Sequence, residues 1–247
     1  MDTHCHLEQT EFDSDREEVI RRFSEQGIAA ISSAIFIEDY EKNLDISRSN
    51  TDVYAAVGLD PMKYVQVDEA LEWIHSHSSE VVAIGETGLD HYRERNHAER
   101  LKQEIAFVKM IDISSELKLP IQVHSRSAGS AALSVLRKND ARCVHMHAFD
   151  GKAGFARNAS KELDYYFSIP TTVVRSPQKR KLVKAITLDR LLLETDSPVL
   201  SPDRVQRNEP SNLPLALREV ASILGREEEE LCEIILENSL RLYTKIK

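Results

Sequence analysis

The histidines and carboxylates of this chain are spaced as a metal centre would need them. His4 and His6 stand two apart near the start, while Glu86, His124, His147 and Asp196 each end or closely follow a short apolar run. Four imidazoles and two carboxylates brought together would be costly to desolvate without a cation. Divalent ions held by such a set can activate water and neutralise charge on a reacting oxygen. His75 and His77 have the same spacing as the first pair but fall in a segment of helical period. Residues i and i+2 of a helix do not share a face, so these two are expected at the surface.

For the six residues to meet, the chain must carry them on elements that share one end. Apolar runs predict strands at Asp2 to His6, Ile28 to Ser33, Val53 to Gly58, Val81 to Thr87, Ile121 to His124, Arg142 to His147, Tyr165 to Ile169 and Arg190 to Glu194. Helical periodicity fills the intervals at Ser14 to Gln26, Glu38 to Ser47, Asp68 to His77, Arg95 to Glu116, Ser127 to Lys138, Gly151 to Lys161 and Pro177 to Ile186. Two helices follow, Leu213 to Leu224 and Glu227 to Lys245. Repeated β-then-α units without a linker or low-complexity stretch predict an α/β fold, a single (β/α)8 TIM-type barrel over 1–247 rather than a doubly wound sheet. The first strand has only Met1, Asp2 and Thr3 before His4, so the barrel closes on a very short strand unless residues precede it.

On that barrel every one of the six residues lies at the carboxyl end of a strand, the C-terminal face where βα loops build active sites. Strand alternation turns His4 and His6 into the mouth and Cys5 outward as a packing residue. Two residues below the ligands stand Asp2, Ile84, Gln122, His145 and Glu194. The four polar members are expected to orient the imidazoles above them, and His147, nearer the strand's carboxyl end, is the ligand rather than His145.

Composition bounds the function. The 247 residues carry 32 Lys+Arg against 41 Asp+Glu, a net charge of −9, with 41% hydrophobic residues. This is a globular composition that argues against a broad basic surface for nucleic acid. The longest apolar run, Val53 to Val57, is far short of the roughly 20 residues of a membrane span. Met1-Asp2-Thr3-His4 has neither a basic nor an apolar leader region, so no secretory signal is expected. Cys5, Cys143 and Cys232 are odd in number and far apart, which predicts no disulfide framework and suits the cytoplasm.

Asp2-Thr3-His4-Cys5-His6-Leu7, Gly85-Glu86-Thr87-Gly88-Leu89-Asp90, Pro120-Ile121-Gln122-Val123-His124-Ser125-Arg126, His147-Ala148-Phe149-Asp150-Gly151, Leu192-Leu193-Glu194-Thr195-Asp196-Ser197-Pro198 and Arg207-Asn208-Glu209-Pro210 together resemble the motifs of TatD-type metal-dependent deoxyribonucleases. The resemblance runs from Asp2 to about Tyr243. It implies a two-metal hydrolase site in which Glu86 bridges the ions. One ion would be held by His4, His6 and Asp196 and the other by His124 and His147, with some sharing of ligands.

The residues suit that chemistry. Hydrolysis of a phosphodiester needs an activated water, an acid for the leaving oxygen and compensation of phosphoryl charge, and paired ions about 3.5–4 Å apart supply the first and last. Each oxygen of a carboxylate such as Glu86 can bind one ion, whereas neutral imidazole serves one ion only. Asp196 is suited to be both ligand and acceptor of the attacking water's proton, so Glu86 and Asp196 are the expected catalytic pair. The imidazoles favour Zn, Mn, Ni or Fe, while Mg prefers oxygen.

Arg126, two residues past His124, could grip a phosphate with its planar guanidinium. Arg207 and Asn208 occupy the long loop after the last strand, and Tyr64, Tyr92 and Phe149 lie near the mouth, where rings can stack on bases. Lys179-Arg180-Lys181 reads as a solvated helix face. One departure stands out in Gly58-Leu59-Asp60-Pro61, where the family usually has histidine in the third place. An ionised Asp60 would repel a phosphate, would attract a substrate amine, or would simply serve as a turn residue before Pro61. The leading expectation is a deoxyribonuclease acting as an exonuclease on single-stranded DNA ends. The alternatives are a two-metal hydrolase of a D-aminoacyl-tRNA ester or of a small amide or lactone, and a non-catalytic binding module, against which the intact ligand set counts. The oligomeric state is open and compatible with a monomer.

Overall fold

The computed structural model describes residues 1–246. Its strands are β1 (Asp2–Cys5), β2 (Ala30–Ala34), β3 (Val53–Val57), β4 (Ala83–Gly88), β5 (Ile121–His124), β6 (Val144–Met146), β7 (Tyr166–Pro170) and β8 (Leu191–Glu194). They form one parallel sheet in the order β1 to β8. Its two edges are joined where Asp196 N donates to His4 O at 2.9 Å and His6 N donates to Ser197 O at 2.8 Å. The α/β barrel expected from the alternation of elements is the fold.

Helices cover the outside: α1 (Arg16–Ser24), α2 (Tyr40–Ser49), α3 (Val67–His77), α4 (His97–Leu117), α5 (Gly129–Lys138), α6 (Ala153–Glu162), α7 (Pro177–Val183), α8 (Leu213–Leu224) and α9 (Glu228–Leu242). In α1 the buried Val19, Ile20 and Phe23 recur at helical spacing, with Glu17 and Glu18 at its start and Arg21 and Arg22 at its end, where each charge suits the helix dipole. Among the described residues no helix is long and apolar enough to cross a membrane.

Strand alternation divides the buried residues between two sides of the sheet. Outward-facing Cys5, Val123, Met146 and Leu193 join the helices in an apolar shell. The lower barrel interior holds Ile31, Ala56, Ala83, Tyr166 and Leu192, and the segment ending α9 plugs it with Leu242, Tyr243 and Ile246. Above that plug the interior turns polar: Asp2, Gln122, His145 and Glu194 are all fully buried.

The short β1 is held by its own side chain. The Asp2 carboxylate accepts from His4 N at 3.3 Å, from Thr195 N at 2.9 Å and from Thr195 Oγ1 at 2.5 Å, tying β1 to the end of β8. Burial pushes this carboxyl up to about 7, against the pull of those hydrogen bonds. Asp2 therefore closes the barrel and does not orient an imidazole, a correction to the role expected from its parity.

Tyr243 joins the plug to the polar layer. Its hydroxyl accepts from Gln122 Nε2 at 3.0 Å and lies 2.6 Å from His145 Nδ1. Tyr243→Phe would leave both groups short of a partner in a dry interior. Urea denaturation should register a loss of about 1–3 kcal/mol; unchanged stability would mean that water or a neighbour replaces the hydroxyl.

Candidate metal centre

Glycines let the strands carrying the site approach closely. A Cβ on Gly58 would fall 2.3 Å from Glu86 O, so the end of β3 can lie against the Glu86 backbone only without a side chain. At Gly88, with φ +141°, a Cβ would meet His124 O at 2.2 Å. Asp196 has φ 57°, a left-handed turn that Asp tolerates better than bulky residues do.

The side chains so placed converge. One ligand atom from each of His4, Glu86, His147 and Asp196 lies within 4.8 Å of the others, and all four residues are buried. Glu86 Oε2 is 2.9 Å from His4 Nε2, 3.5 Å from His6 Nε2 and 3.6 Å from His147 Nε2. Asp196 Oδ1 is 3.3 Å from His6 Nε2 and 3.6 Å from His4 Nε2. The other Glu86 oxygen, Oε1, faces His124 Nδ1 at 2.7 Å. His147 thus sits on the His4 side of Glu86, its ring stacked on His4 at 3.9 Å between centroids, whereas the resemblance grouped it with His124.

Three of the imidazoles are fixed from behind. His4 Nδ1 lies 3.1 Å from Gln122 Oε1, His6 Nδ1 lies 2.7 Å from Ser33 O, and His147 Nδ1 lies 3.2 Å from Glu194 Oε2. Each acceptor draws the ring proton to Nδ1 and leaves the Nε2 lone pair facing the centre, the tautomer a metal ligand needs. A chain of bonds supports Glu194: His145 Nε2 is 2.6 Å from Ser168 Oγ, and Ser168 Oγ donates to Glu194 Oε2 at 2.6 Å. Burial brings His145 down to about 3, so it stays neutral and can accept from the Tyr243 hydroxyl.

Electrostatics favours a cation among these groups. Burial lowers His147 to about 3, with His4 adding to the effect, which keeps its lone pair free. Burial also acts to lower His4 and His6, but Glu86 and Asp196, joined at His6 by the buried Glu8, outweigh it and raise both, the same attraction a metal ion would meet. His124 rises to about 10, because Glu86 and Asp90 overcome its desolvation. Burial raises Glu86 less than His124 and His147 depress it, so its carboxyl is held well below the usual range. Although Glu86 Oε1 is near, neither shielded ring nitrogen of His124 makes a directed hydrogen bond. Buried, unpartnered nitrogens of His124 beside a carboxylate, with the Nε2 atoms of His4, His6 and His147 on its other oxygen, are ligand atoms a divalent ion satisfies, so the set fits such an ion.

Over residues 1–244 the chain matches the family described as TatD related DNase. The chain belongs to this family. Deoxyribonuclease TATDN3 of Homo sapiens is 34% identical to it over 263 residues, covering 100% of this chain and 95% of the human protein. YabD of Bacillus subtilis (strain 168), called an uncharacterized metal-dependent hydrolase, is 34% identical and covers 98% of each chain. Among solved structures, the TatD homolog YJJV of Escherichia coli K12 has a TM-score of 0.88 at 25% identity, covering 98% of this chain and 97% of that one. The TatD chain is accordingly a metal-dependent hydrolase of ester bonds.

The centre forms the floor of a pocket of about 480 Å³, lined by His6, Gln9, Glu86, His124, Ser125, Arg126, His147, Ala148, Asp150, Lys179, Asp196, Val199 and Leu200. Arg126 reaches this TatD pocket, and its guanidinium lies 4.0 Å over the half-exposed Tyr92 ring. Other expected contacts are elsewhere. Arg207 donates to both Asp15 oxygens, at 2.8 and 2.6 Å, and covers Phe12, so it does not line the pocket. Phe149 is fully buried edge-on to Phe167 and cannot stack on a base, and Tyr64 donates to Glu99. Asn208 is buried in bonds to Thr171, Thr195 and Val199. His75 and His77 are away from the pocket, one 3.3 Å from Glu116 and the other stacked on Trp73.

Asp60 is not a free anion. Its Oδ1 accepts from Met62 N at 2.6 Å, which makes it the turn residue expected before Pro61, and its Oδ2 accepts from Arg93 Nη1 at 2.8 Å. Lys179 also departs from expectation, because it faces the pocket instead of solvent. Ser33 and Ser168 could have been read as polar residues in otherwise apolar strands, and Asp90, 3.5 Å from His124 Nε2, as an acid at a strand end. Tyr243 gave no local signal.

Glu194→Gln would replace an acceptor of three hydrogen bonds, including those from Ala148 N and Ser168, with a group that donates on one side. Metal titration should show affinity lowered about 10- to 100-fold. His145→Ala, which reaches His147 indirectly, through Ser168 and Glu194, should have the smaller effect; the reverse order would place the control of His147 elsewhere.

Proposed function

We propose that this TatD protein is a deoxyribonuclease that removes nucleotides from single-stranded DNA ends in the cytoplasm, with two divalent ions at the barrel mouth. The observation that carries the reading is Glu86, whose Oε2 faces His4, His6 and His147 while Oε1 faces His124. That disposition supports a bridging carboxylate. One ion would rest on His4, His6 and Asp196 and the second on His124, with His147 between them. When bound, the ions would activate water and neutralise charge on the phosphoryl oxygens. Imidazole nitrogens in this number favour Zn, Mn, Ni or Fe over Mg.

The chain's own groups then divide the work. Asp196 accepts the proton of the attacking water, its backbone fixed where its N–H donates to His4 O. Arg126, kept flat on Tyr92, grips a phosphate with two N–H groups, and the exposed part of the tyrosine ring receives a base. A pocket of about 480 Å³ takes a strand terminus more readily than a duplex. The Asp60–Arg93 pair bears on the alternative substrate: a carboxylate already neutralised neither repels phosphate strongly nor offers a counter-charge to an aminoacyl ester. The unpaired Cys5, Cys143 and Cys232 accord with a reducing compartment.

End-labelled single-stranded DNA and D-aminoacyl-tRNA, each incubated with metal-loaded and chelated protein, test the reading. Stepwise shortening of DNA by the loaded form alone is expected; hydrolysis of the tRNA ester alone would replace it. Glu86→Ala should purify with at least one ion fewer per chain by metal analysis. Arg126→Lys keeps the charge but loses the fork, so kcat/KM on DNA should fall about tenfold or more with metal content unchanged; equal kcat/KM would remove Arg126 from the substrate.

A further inference from the structure

Lys179 is the second non-histidine cation of the pocket, and nothing described so far uses it. It sits in α7 and is partly buried, with its amine turned inward to the loop that follows β6. Nζ donates to Ala148 O at 2.8 Å and to Phe149 O at 2.9 Å, the carbonyls directly after His147. An ammonium has three N–H groups, so one is left over. Asp150, Glu194 and Asp196 act on the charge through space, and among the described residues no carboxylate pairs with it directly. Burial consequently lowers its pKa.

A cation held by neutral carbonyls at a pocket wall, with a donor to spare, is costly unless an anion completes it. Two carbonyls fix the direction of the amine, and the side chain lines the pocket whose floor holds Glu86, His147 and Asp196. We infer that Lys179 is a substrate-binding residue whose remaining N–H contacts a non-bridging oxygen of the phosphate seated over that floor. It acts as a point charge beside the planar grip of Arg126. Its charge faces the substrate on the His147 side of the pocket, opposite in sign to the phosphate. The inference rests on the phosphodiester reading above.

Inorganic phosphate is the probe, titrated calorimetrically into zinc-loaded parent and Lys179→Gln protein. Glutamine retains N–H groups for the two carbonyls and removes the charge, so metal content and Tm should match the parent. Phosphate Kd and the KM for single-stranded DNA should each rise roughly 10- to 100-fold. Equal phosphate affinity in parent and variant would overturn the role of Lys179 and leave the phosphodiester reading standing. A parent that neither binds phosphate nor cleaves DNA would overturn both. Should Lys179→Gln unfold, the Lys179 Nζ resonance of the ¹⁵N-labelled parent decides the matter: a shift on adding phosphate supports the contact, and an unmoved resonance refutes it.

Discussion

Glu86 keeps a carboxylate almost out of water while four imidazole nitrogens from three strand ends stand 2.7–3.6 Å from its oxygens. Charge of that density cannot be left to adjust itself in a dry interior, because each misdirected proton or lone pair costs as much as a lost hydrogen bond. The surroundings answer this constraint. Gly58 and Gly88 allow the neighbouring backbones to close on Glu86 and His124, and acceptors behind His4, His6 and His147 settle which nitrogen faces inward.

The same demand explains the polar middle of the barrel. A layer usually filled by aliphatic side chains here contains Gln122, His145, Ser168 and Glu194, and it works because donors and acceptors alternate along one path. Gln122 donates to Tyr243, the tyrosine meets His145, and His145 leads through Ser168 to Glu194 and His147. Tyr243, just after α9, thereby supports His147, which directly follows β6, and this couples closure of the barrel floor to geometry at its mouth.

Charges that look unfavourable for an anionic substrate are balanced locally. The chain carries a net charge of −9, yet Asp60 is neutralised by Arg93, and Arg126 and Lys179 both open onto the pocket. A small positive region beside the centre is sufficient to hold a phosphate, since such contacts depend on the few groups within a Debye length and not on the sum over the molecule.

His4 and His6 were legible together because strand alternation fixes parity within a few residues, and the recurrence of strands fixed the barrel and the end at which Glu86, His124, His147 and Asp196 would meet. The polar layer beneath was legible for the same reason at Gln122 and Glu194. Parity says which way a side chain points and not what it meets, so Asp2 proved to bind the backbone of His4 and Thr195, and His147 proved to lie against His4. Arg207, Asp60 and Lys179 were decided by partners far away in sequence: Asp15, Arg93 and the carbonyls after His147. Local periodicity is set by backbone geometry and can be read from one segment. The partner of a long charged side chain depends on which loops the closed barrel brings side by side, and only the tertiary structure contains that information.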